Sequence, residues 1–407
     1  MTLQIGKPHP PFLDPYDYDF HEDPYPYYQR LRDDAPLYHN EELSFWALSR
    51  HSDVHKGFRN STTLSNRDGV SLDPVSRGPH ASKTMSFLAM DDPAHLRLRT
   101  LVSKGFTPRR IRELEPRVTE LAVQHLDTML EKASSGVTVD YVAEFAGKLP
   151  MDVISELMGV PEPDRDRIRA MADGVMHRED GVNDVPASAI EASLNLIVYY
   201  QEMIAERRKK LTDDLTSALL EAEIDGDRLT DEEILGFMFL MVIAGNETTT
   251  KLLANAAFWG HKNPDQLTPV YQDLSRVPLW VEETLRYDTS SQILARVVSG
   301  ELTLYDTTIP EGDVLLLLPG SGHRDERVFE DPDDFVIGRD IGSKLLSFGS
   351  GAHFCLGAHL ARMEARVALT EMFRRIRGYQ VDEANAVRVH SSNVRGFAHL
   401  PMAVEVS

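Results

Sequence analysis

The chain has 407 residues, of which 42% are hydrophobic and 26% charged, and 43 Lys and Arg against 64 Asp and Glu give a formal net charge of −21. A chain of this length buries enough surface to enclose a cofactor without disulfide or metal staples. The acidic balance argues against nucleic acid and anionic membrane surfaces as partners, because both are bound by clustered positive charge, although a local basic patch stays possible.

The sequence gives no signal for targeting or membrane insertion. Residues 1–18 are rich in Pro, Asp and Tyr and have no apolar signal core. The longest apolar stretch, 234–245, is shorter than the roughly 20 residues of a membrane span. The single cysteine rules out internal disulfides, multi-cysteine zinc sites and cysteine-ligated iron–sulfur clusters. We therefore expect a cytoplasmic protein and, without repeats or linkers, one domain over residues 1–407.

The pattern of apolar residues predicts a mostly α fold with minor β structure. Apolar residues recur at helical spacing in three segments, 111–133, 151–158 and 190–204. Strand-like runs are fewer, and they lie at 45–48, at 301–305, at 314–318 and in a C-terminal set that ends at Val404.

A histidine and an arginine lie four residues apart in the segment 91–99. His95 and Arg99 would share one face of a helix, from which both could reach one anion. Side chains on such a face are more often solvated, so this pair alone does not define a site.

A long helix is predicted farther along the chain. Thr230 and Glu233 have the spacing of a capping box at its start, and Asn263-Pro264 should end it after Lys262. Some thirty residues at about 1.5 Å each span roughly 45 Å, enough to cross the molecule. The first half is apolar nearly all round, so we expect this helix to lie inside.

Small and polar residues interrupt the middle of this helix. Ala244 and Gly245 would let another group approach the backbone, and Glu247 and Thr248 follow where apolar residues would pack better. The structural alternative is a kink in which Thr248 and Thr249 bond back to the preceding turn.

An acid and a base lie three residues apart at Glu283 and Arg286 and would share one helix face. Surface pairs of this kind are common and stabilise by less than about 1 kcal/mol. The pair is therefore uninformative by itself.

The single cysteine, Cys355, lies in a glycine-rich run, 348–357, immediately before a helical pattern. Glycines let backbone approach a flat ligand closely, and the N-terminus of a helix favours a thiolate over a thiol. Such a thiolate is a suitable axial ligand for heme iron. Two alternatives stay open at this point, an inert core cysteine and a nucleophilic cysteine with a histidine base.

The run Phe-Gly-x-Gly-x-His-x-Cys-x-Gly that begins at Phe348, with Leu360-Ala361-Arg362 after it, resembles the heme-binding signature of the cytochrome P450 superfamily. The resemblance is to the soluble bacterial type, and it covers nearly the entire chain, from Asp23-Pro24-Tyr25 to the C-terminal Gly396-Phe397 segment. It implies a P450-like fold with a long central helix crossing the heme. It also implies heme b as the cofactor, with Cys355 as the iron ligand. Further heme contacts are implied for Ala244, Gly245, Phe348, Gly349, His353 and Gly357.

The resemblance also implies roles for polar side chains. Thr248 would hold the iron-bound oxygen species and Glu247 would belong to the proton relay, since O–O cleavage needs protons in a pocket that excludes water. Glu283 and Arg286 would be buried in a structural network with Arg339. The heme propionates would be bound by four donors: His95, Arg99, Arg296 and His353.

The implied activity is the insertion of one oxygen atom from O2 into a C–H or C=C bond of a hydrophobic small molecule, such as a lipid, terpenoid or polyketide-like compound. Segments 70–89 and 170–198 are candidates to line the site. The individual candidates for substrate contact are Met241, Ala244, Ile293, Leu294 and Phe397.

We find no flavin- or nicotinamide-binding stretch, so electrons should come from a separate ferredoxin or flavodoxin-like protein. We expect this donor to dock on the cysteine side, near Arg109, Arg110, Lys344 and Arg362. Two other functions stay open: a heme-thiolate peroxygenase or oxidative coupling enzyme and, more distantly, a non-enzymatic heme or ligand-binding protein.

The chain departs from the family's pattern at two places. It has Ser290 where the family often has Pro, and Gly322-His323 where the family often has Ala-Asn. These positions belong to a turn and an outer loop, so we expect local changes of shape and no effect on iron ligation.

Overall fold

The computed structural model describes residues 13–72, 77–134, 136–176 and 185–406, and the fold is mostly helical. The helices in this part of the chain are α1 (Tyr18–Glu22), α2 (Tyr25–Asp34), α3 (His51–Arg59), α4 (Ala81–Met85), α5 (Ala94–Ser103), α6 (Pro108–Ala133), α7 (Lys148–Met158), α8 (Arg165–Met176), α9 (Ala187–Lys209), α10 (Leu215–Glu221), α11 (Asp231–Lys262), α12 (Pro264–Gln272), α13 (Val277–Tyr287), α14 (Pro319–Gly322) and α15 (Ala358–Arg375).

The strands are short. They are β1 (Leu37–Asn40), β2 (Phe45–Leu48), β3 (Leu64–Ser65), β4 (Val139–Asp140), β5 (Glu223–Ile224), β6 (Asp227–Arg228), β7 (Leu294–Val298), β8 (Leu302–Leu304), β9 (Thr307–Ile309), β10 (Val314–Leu317), β11 (Ile376–Val381), β12 (Val387–Arg388), β13 (Phe397–His399) and β14 (Pro401–Val406).

The elements predicted from periodicity are confirmed with small shifts at their ends. The three helical segments fall within α6, α7 and α9, and the strand-like runs correspond to β2, β8, β10 and β14. One end differs from expectation. In the sequence, apolar residues at helical spacing after Cys355 continue to Ile376, which predicts a helix to that residue. However, α15 ends at Arg375, and Ile376 begins β11, where it is paired with Val406 of β14.

The long helix α11 begins and ends where the sequence predicts. The Thr230 hydroxyl accepts a hydrogen bond from the Glu233 amide at 3.2 Å, and the Glu233 carboxylate accepts one from the Thr230 amide at 2.9 Å. Asn263 caps the other end. Because α11 packs against α4, α7, α9, α13 and α15, it runs through the main hydrophobic core, and residues near its middle can face an interior site.

A five-stranded sheet lies beside this helical core, with strand order β1-β2-β10-β7-β3. Strand β10 is parallel to β2 and antiparallel to β7, and all four of its residues are buried. Arg296 lies in the middle of β7, opposite Leu315 of β10. The sheet thereby fixes the backbone of a residue that the resemblance assigns to the heme.

Glu283 and Arg286 form a buried network, which agrees with the structural role implied for them. Two hydrogen bonds of 2.7 and 2.9 Å join their side chains, and both side chains are 0% exposed. Arg286 also donates to the Asp334 carbonyl at 2.9 Å, a carbonyl that Arg339 shares at 3.3 Å. The Arg339 Nε atom lies 3.6 Å from the Glu283 carboxylate. The network ties α13 to the segment that leads toward Cys355.

No helix among the described residues combines the length and the apolar character needed to cross a membrane.

Candidate active site

A large cavity is lined both by the middle of α11 and by the loop that carries Cys355. Its volume is about 980 Å³, and its wall is mostly apolar. Ala244 and Thr248 of α11 contribute to this wall together with Cys355 and Leu360. A cavity of this size can hold a planar cofactor together with a small molecule.

The loop before α15 holds Cys355 at the cavity wall. The Cys355 amide donates to the Phe348 carbonyl at 2.9 Å, which closes the loop on itself. Gly349 and Gly351 have φ values of 68° and 75°, in the left-handed region that favours glycine. A Cβ atom on Gly351 would also lie 3.1 Å from the Phe58 carbonyl oxygen, so this turn requires glycine for space as well.

The Cys355 thiol is placed where a metal can reach it. Its exposed surface belongs to the cavity wall. Burial within the protein raises the pKa of the thiol, and hydrogen bonds from the backbone amides of Gly357 and Ala358 oppose this effect. The Arg99 and Arg362 guanidinium groups also favour the thiolate. These amides come from the N-terminal end of α15, as the sequence predicts.

Four donors predicted to bind propionates come together beside the same cavity. The rings of His95 and His353 lie 4.0 Å apart between centroids, although they come from distant parts of the chain. Arg296 is 4% exposed, and one of its N–H groups binds the Ala295 carbonyl. Arg99 donates to the Phe354 carbonyl and lines the cavity.

The electrostatics of this cluster favour anions. Burial and the nearby His95, Arg296 and Arg99 lower the pKa of His353 to about 3, and burial lowers the pKa of Arg296 to about 10. Among the described residues, the buried His95 Nε2 and His353 Nδ1 atoms have no hydrogen-bond partner. Two carboxylates would supply acceptors and negative charge here, so these residues fit the propionates of a heme.

Both members of the small pair on α11, Ala244 and Gly245, line the cavity. A Cβ atom on Gly245 would also lie 2.8 Å from the Ile154 side chain, so the missing side chain lets α7 approach α11 closely. The Thr248 hydroxyl donates to the Ala244 carbonyl at 2.8 Å, which is the back-bonding that the structural alternative expects. Thr248 also lines the cavity.

Glu247 and the backbone of Thr248 have partners that sequence reasoning missed. Glu247 Oε1 lies 2.9 Å from Lys251 Nζ, and Lys251 is 4% exposed. Ser290 donates through its hydroxyl to the Thr248 carbonyl at 2.8 Å. The Glu-x-x-x-Lys spacing of 247 and 251 was visible in the sequence. The Ser290 contact joins two elements far apart in the chain and had no local signal.

Another missed residue is Glu364 of α15, which lines the cavity. It is 1% exposed, and burial raises the pKa of its carboxyl well above the usual range. The sequence did offer a signal for Glu364, because it places a charged residue within the apolar stripe of the helix after Cys355.

The expected substrate contacts are partly corrected. Met241, Ala244 and Leu294 line the cavity. Ile293 is 2% exposed and packs in a separate core cluster with Phe20 and Tyr28, because the neighbouring residue of the chain, Leu294, takes the cavity side.

Phe397 also lies away from the cavity wall. It is 2% exposed and packs against Phe258 with ring centroids 4.8 Å apart, whereas the next residue of β13, Ala398, lines the cavity. Consecutive residues of a strand face opposite sides, which explains why Ala398 lines the cavity and Phe397 does not.

The two long segments expected to line the site contribute in part. Val70, Phe87 and Leu88 come from the first, and Ile190 and Leu194 come from the second. Positions 73–76 and 177–184 of these segments lie outside the described residues.

The four basic residues expected at a docking face each have an acidic neighbour. The nearest N–O distances are 2.7 Å for Arg109 to Glu113, 3.5 Å for Arg110 to Asp213, 3.8 Å for Lys344 to Asp340 and 2.5 Å for Arg362 to Glu282. Their positive charge is therefore partly offset at the surface, which weakens the expectation of a strongly basic patch.

A helical fold that presents a cysteine loop, a cluster of anion-binding donors and an acid–alcohol pair around one apolar cavity has the arrangement of a heme-thiolate protein. Comparison with known proteins agrees. The family described as Cytochrome P450 matches residues 188–395. The protein designated cytochrome P450 123 of Mycobacterium tuberculosis is 71% identical over 405 residues, which is 100% of either chain. The chain belongs to the cytochrome P450 family, a family of heme-dependent monooxygenases.

Other relatives carry further information. The cytochrome P450 monooxygenase PikC of Streptomyces venezuelae is 36% identical and covers 98% of this chain and 96% of its own. The structure of CYP109Q5 from Chondromyces apiculatus has a TM-score of 0.87 at 34% identity, covering 97% of this chain and 98% of that one. CYP109E1 from Bacillus megaterium in complex with testosterone has a TM-score of 0.82 at 30% identity, covering 93% and 99%.

Proposed function

We propose that this enzyme inserts one oxygen atom from O2 into a C–H or C=C bond of a hydrophobic small molecule, with electrons from a separate ferredoxin or flavodoxin-like protein. The observation that carries the proposal is that Cys355 and the pair Glu247 and Thr248, which are distant in sequence, line one mostly apolar cavity. Heme held by the Cys355 thiolate would supply the reductive activation of O2.

The residues of the chain hold and orient the cofactor. His95, Arg99, Arg296 and His353 bind its two carboxylates, and the buried atoms of both histidines gain acceptors in doing so. The backbone amides of Gly357 and Ala358 favour the negative charge of the Cys355 sulfur.

Proton supply is assigned to the acid–alcohol pair. Glu247 carries a proton to the Thr248 hydroxyl, which presents it to the cavity. The hydroxyl now donates to the Ala244 carbonyl, a bond that it can exchange for one to a group in the cavity. The cavity wall is mostly apolar, so the acid–alcohol pair is the polar route that we assign to protons.

The cavity favours a rigid or chain-like apolar substrate of lipid, terpenoid or polyketide type. Met241, Leu294, Phe87 and Leu194 present apolar surface to it. Two structures similar to this chain, at 30% and 29% identity, hold testosterone and corticosterone in CYP109E1 from Bacillus megaterium. Steroid-sized molecules are therefore the first compounds to test.

The test is a screen for ligand-induced spectral shifts, followed by turnover of each hit under ¹⁸O2 with a surrogate ferredoxin and its reductase. Product that gains one ¹⁸O atom supports the proposal. Product formed with hydrogen peroxide alone at a comparable rate favours the peroxygenase alternative, and a coupled dimer without ¹⁸O favours the coupling alternative. Ligand shifts without any product would favour the non-enzymatic binder.

Thr248→Ala tests the relay separately. The variant should retain heme and consume NADH, but it should release most of the electrons as hydrogen peroxide, because the hydroxyl is missing. Tight coupling of NADH to product in Thr248→Ala would contradict the assignment.

A further inference from the structure

A buried ammonium group lies directly beside the proposed relay acid. Lys251 Nζ is 2.9 Å from Glu247 Oε1, and the two side chains are 5% and 19% exposed. Lysine is almost never buried this completely without a specific partner. The pair is therefore unlike the solvated Glu–Lys pairs of surface helices.

The surrounding backbone is shaped to accept this lysine. Lys251 Nζ donates to the Phe397 carbonyl of β13 at 3.0 Å. A Cβ atom on Gly396 would lie 2.5 to 2.8 Å from the first three carbons of the Lys251 side chain. Glycine at 396 thus leaves the space through which the lysine reaches its partners.

A second carboxylate, that of Asp173, lies close enough to interact electrostatically with both Glu247 and Lys251. Asp173 of α8 faces the same pair, and partial burial together with the Glu247 charge raises the pKa of Asp173. Lys251 and Arg169 act in the opposite direction on Asp173. Lys251 is therefore a cation that offsets two neighbouring carboxylates, and one of these, Glu247, lines the cavity.

The direction of the ion pair matters for proton transfer. Residues four apart share a helical face, so Thr248 and Ala244 form one stripe of α11, and Glu247 and Lys251 form the adjacent stripe. The Thr248 hydroxyl donates toward the preceding turn, whereas Glu247 is paired with the following turn. The ion pair with Lys251 therefore directs the Glu247 carboxylate away from the turn toward which the Thr248 hydroxyl donates.

We propose that Lys251 is a positioning residue of the relay, whose ion pair with Glu247 must open before Glu247 gives its proton to Thr248. When the pair opens, Glu247 takes a proton from water, passes it to the Thr248 oxygen as that hydroxyl releases its own proton into the cavity, and returns to Lys251 as a carboxylate. The inference rests on the relay role proposed above for Glu247.

The experiment compares Lys251→Met with wild type as heme-loaded enzymes. Lys262→Met is the matched control, because Lys262 lies on the same helix and forms an ion pair with Glu383 at 3.0 Å, near the helix end. The first readout is the infrared carboxylate band of Glu247, identified by its loss in Glu247→Gln. The second is the solvent isotope effect on NADH consumption with a surrogate ferredoxin and reductase.

The expected result is a shifted Glu247 band in Lys251→Met, with NADH consumption at least roughly three- to fivefold faster and a smaller solvent isotope effect, since even a surface ion pair holds back opening by about that factor. Lys262→Met should match wild type in both readouts. An unshifted band, an equal isotope effect in Lys251→Met and wild type, or slower NADH consumption would overturn the proposal. The infrared readout needs no turnover, so failure here is distinguishable from failure of the monooxygenase proposal, which the ¹⁸O2 experiment tests.

Discussion

The Ser290 hydroxyl donates a 2.8 Å hydrogen bond to the carbonyl of Thr248 and so joins the segment after α13 to the middle of α11. Ser290 is 5% exposed, and proline, which the family often has at this position, could not make this bond. The bond connects the end of the buried Glu283–Arg286 helix to the residue proposed to relay protons. Two consequences can be measured.

Ser290→Ala should lower the stability of the holoenzyme by about 1 kcal/mol, the usual net contribution of one hydrogen bond. It should also increase the share of electrons lost as hydrogen peroxide, but by less than Thr248→Ala does. Thr289→Val is the matched control, because the buried Thr289 hydroxyl makes no hydrogen bond among the described residues. Equal peroxide release from Ser290→Ala and Thr289→Val would show that the bond to Thr248 has no functional role.

His323 should make the protein sensitive to mild acid. Its ring is 0% exposed, Nε2 accepts from the Leu346 amide at 2.7 Å, and burial with the nearby Arg286 holds its pKa well below the usual range. Above about pH 6.5 this histidine is neutral in both the folded and the unfolded state, so its ionisation does not change the free energy of unfolding. Below that pH the histidine is protonated in the unfolded state but not in the folded state. The free energy of unfolding therefore falls by up to about 1.4 kcal/mol per pH unit.

His323→Asn carries the residue that the family often has and can still accept from the Leu346 amide. Melting temperatures of wild type and variant at pH 7.5 and pH 5.5 test the point. The melting temperature should fall less between pH 7.5 and pH 5.5 in the variant than in wild type. An equal fall in both proteins would mean that other groups cause the acid sensitivity.

Glu283→Gln should be severely destabilising. It leaves Arg286, which is 1% exposed, without its counter-charge, and breaking a buried pair costs roughly 3–5 kcal/mol. The adjacent Glu282→Gln removes a carboxylate whose ion pair with Arg362 is about one-third exposed, and it should cost less than about 1 kcal/mol. Urea unfolding of the two variants measures this difference in stability. Similar unfolding midpoints for Glu283→Gln and Glu282→Gln would contradict the buried network.

Charge reversal on the cysteine side should slow reduction by the electron donor. Arg109→Glu is the clearest change, because the Arg109 side chain is 81% exposed. We expect a lower rate of reduction by ferredoxin and a weaker dependence on salt. An unaltered rate in Arg109→Glu would place the donor elsewhere.

The sequence predicts best what depends on neighbours along the chain. The capping box of Thr230 and Glu233 and the stop at Asn263 are local, and α11 begins and ends there. The glycine-rich loop of Cys355 is also local, so its position before a helix follows from the residue types.

What the sequence does not predict depends on contacts between distant segments. The burial of Lys251 depends on Gly396 and Phe397, which belong to another element. Leu294 and Ala398 line the cavity, whereas their neighbours Ile293 and Phe397 do not. Which residue of each pair faces the cavity depends on the register of β7 and β13, because a shift of one residue along a strand reverses the face of its side chains.

The most direct test of the central claim is the difference spectrum of dithionite-reduced protein with and without CO. Thiolate ligation by Cys355 predicts a band at about 450 nm, and Cys355→Ala should abolish it. A band at about 420 nm in freshly prepared wild-type protein, or a 450 nm band that survives in Cys355→Ala, would contradict the assignment of Cys355 as the thiolate ligand.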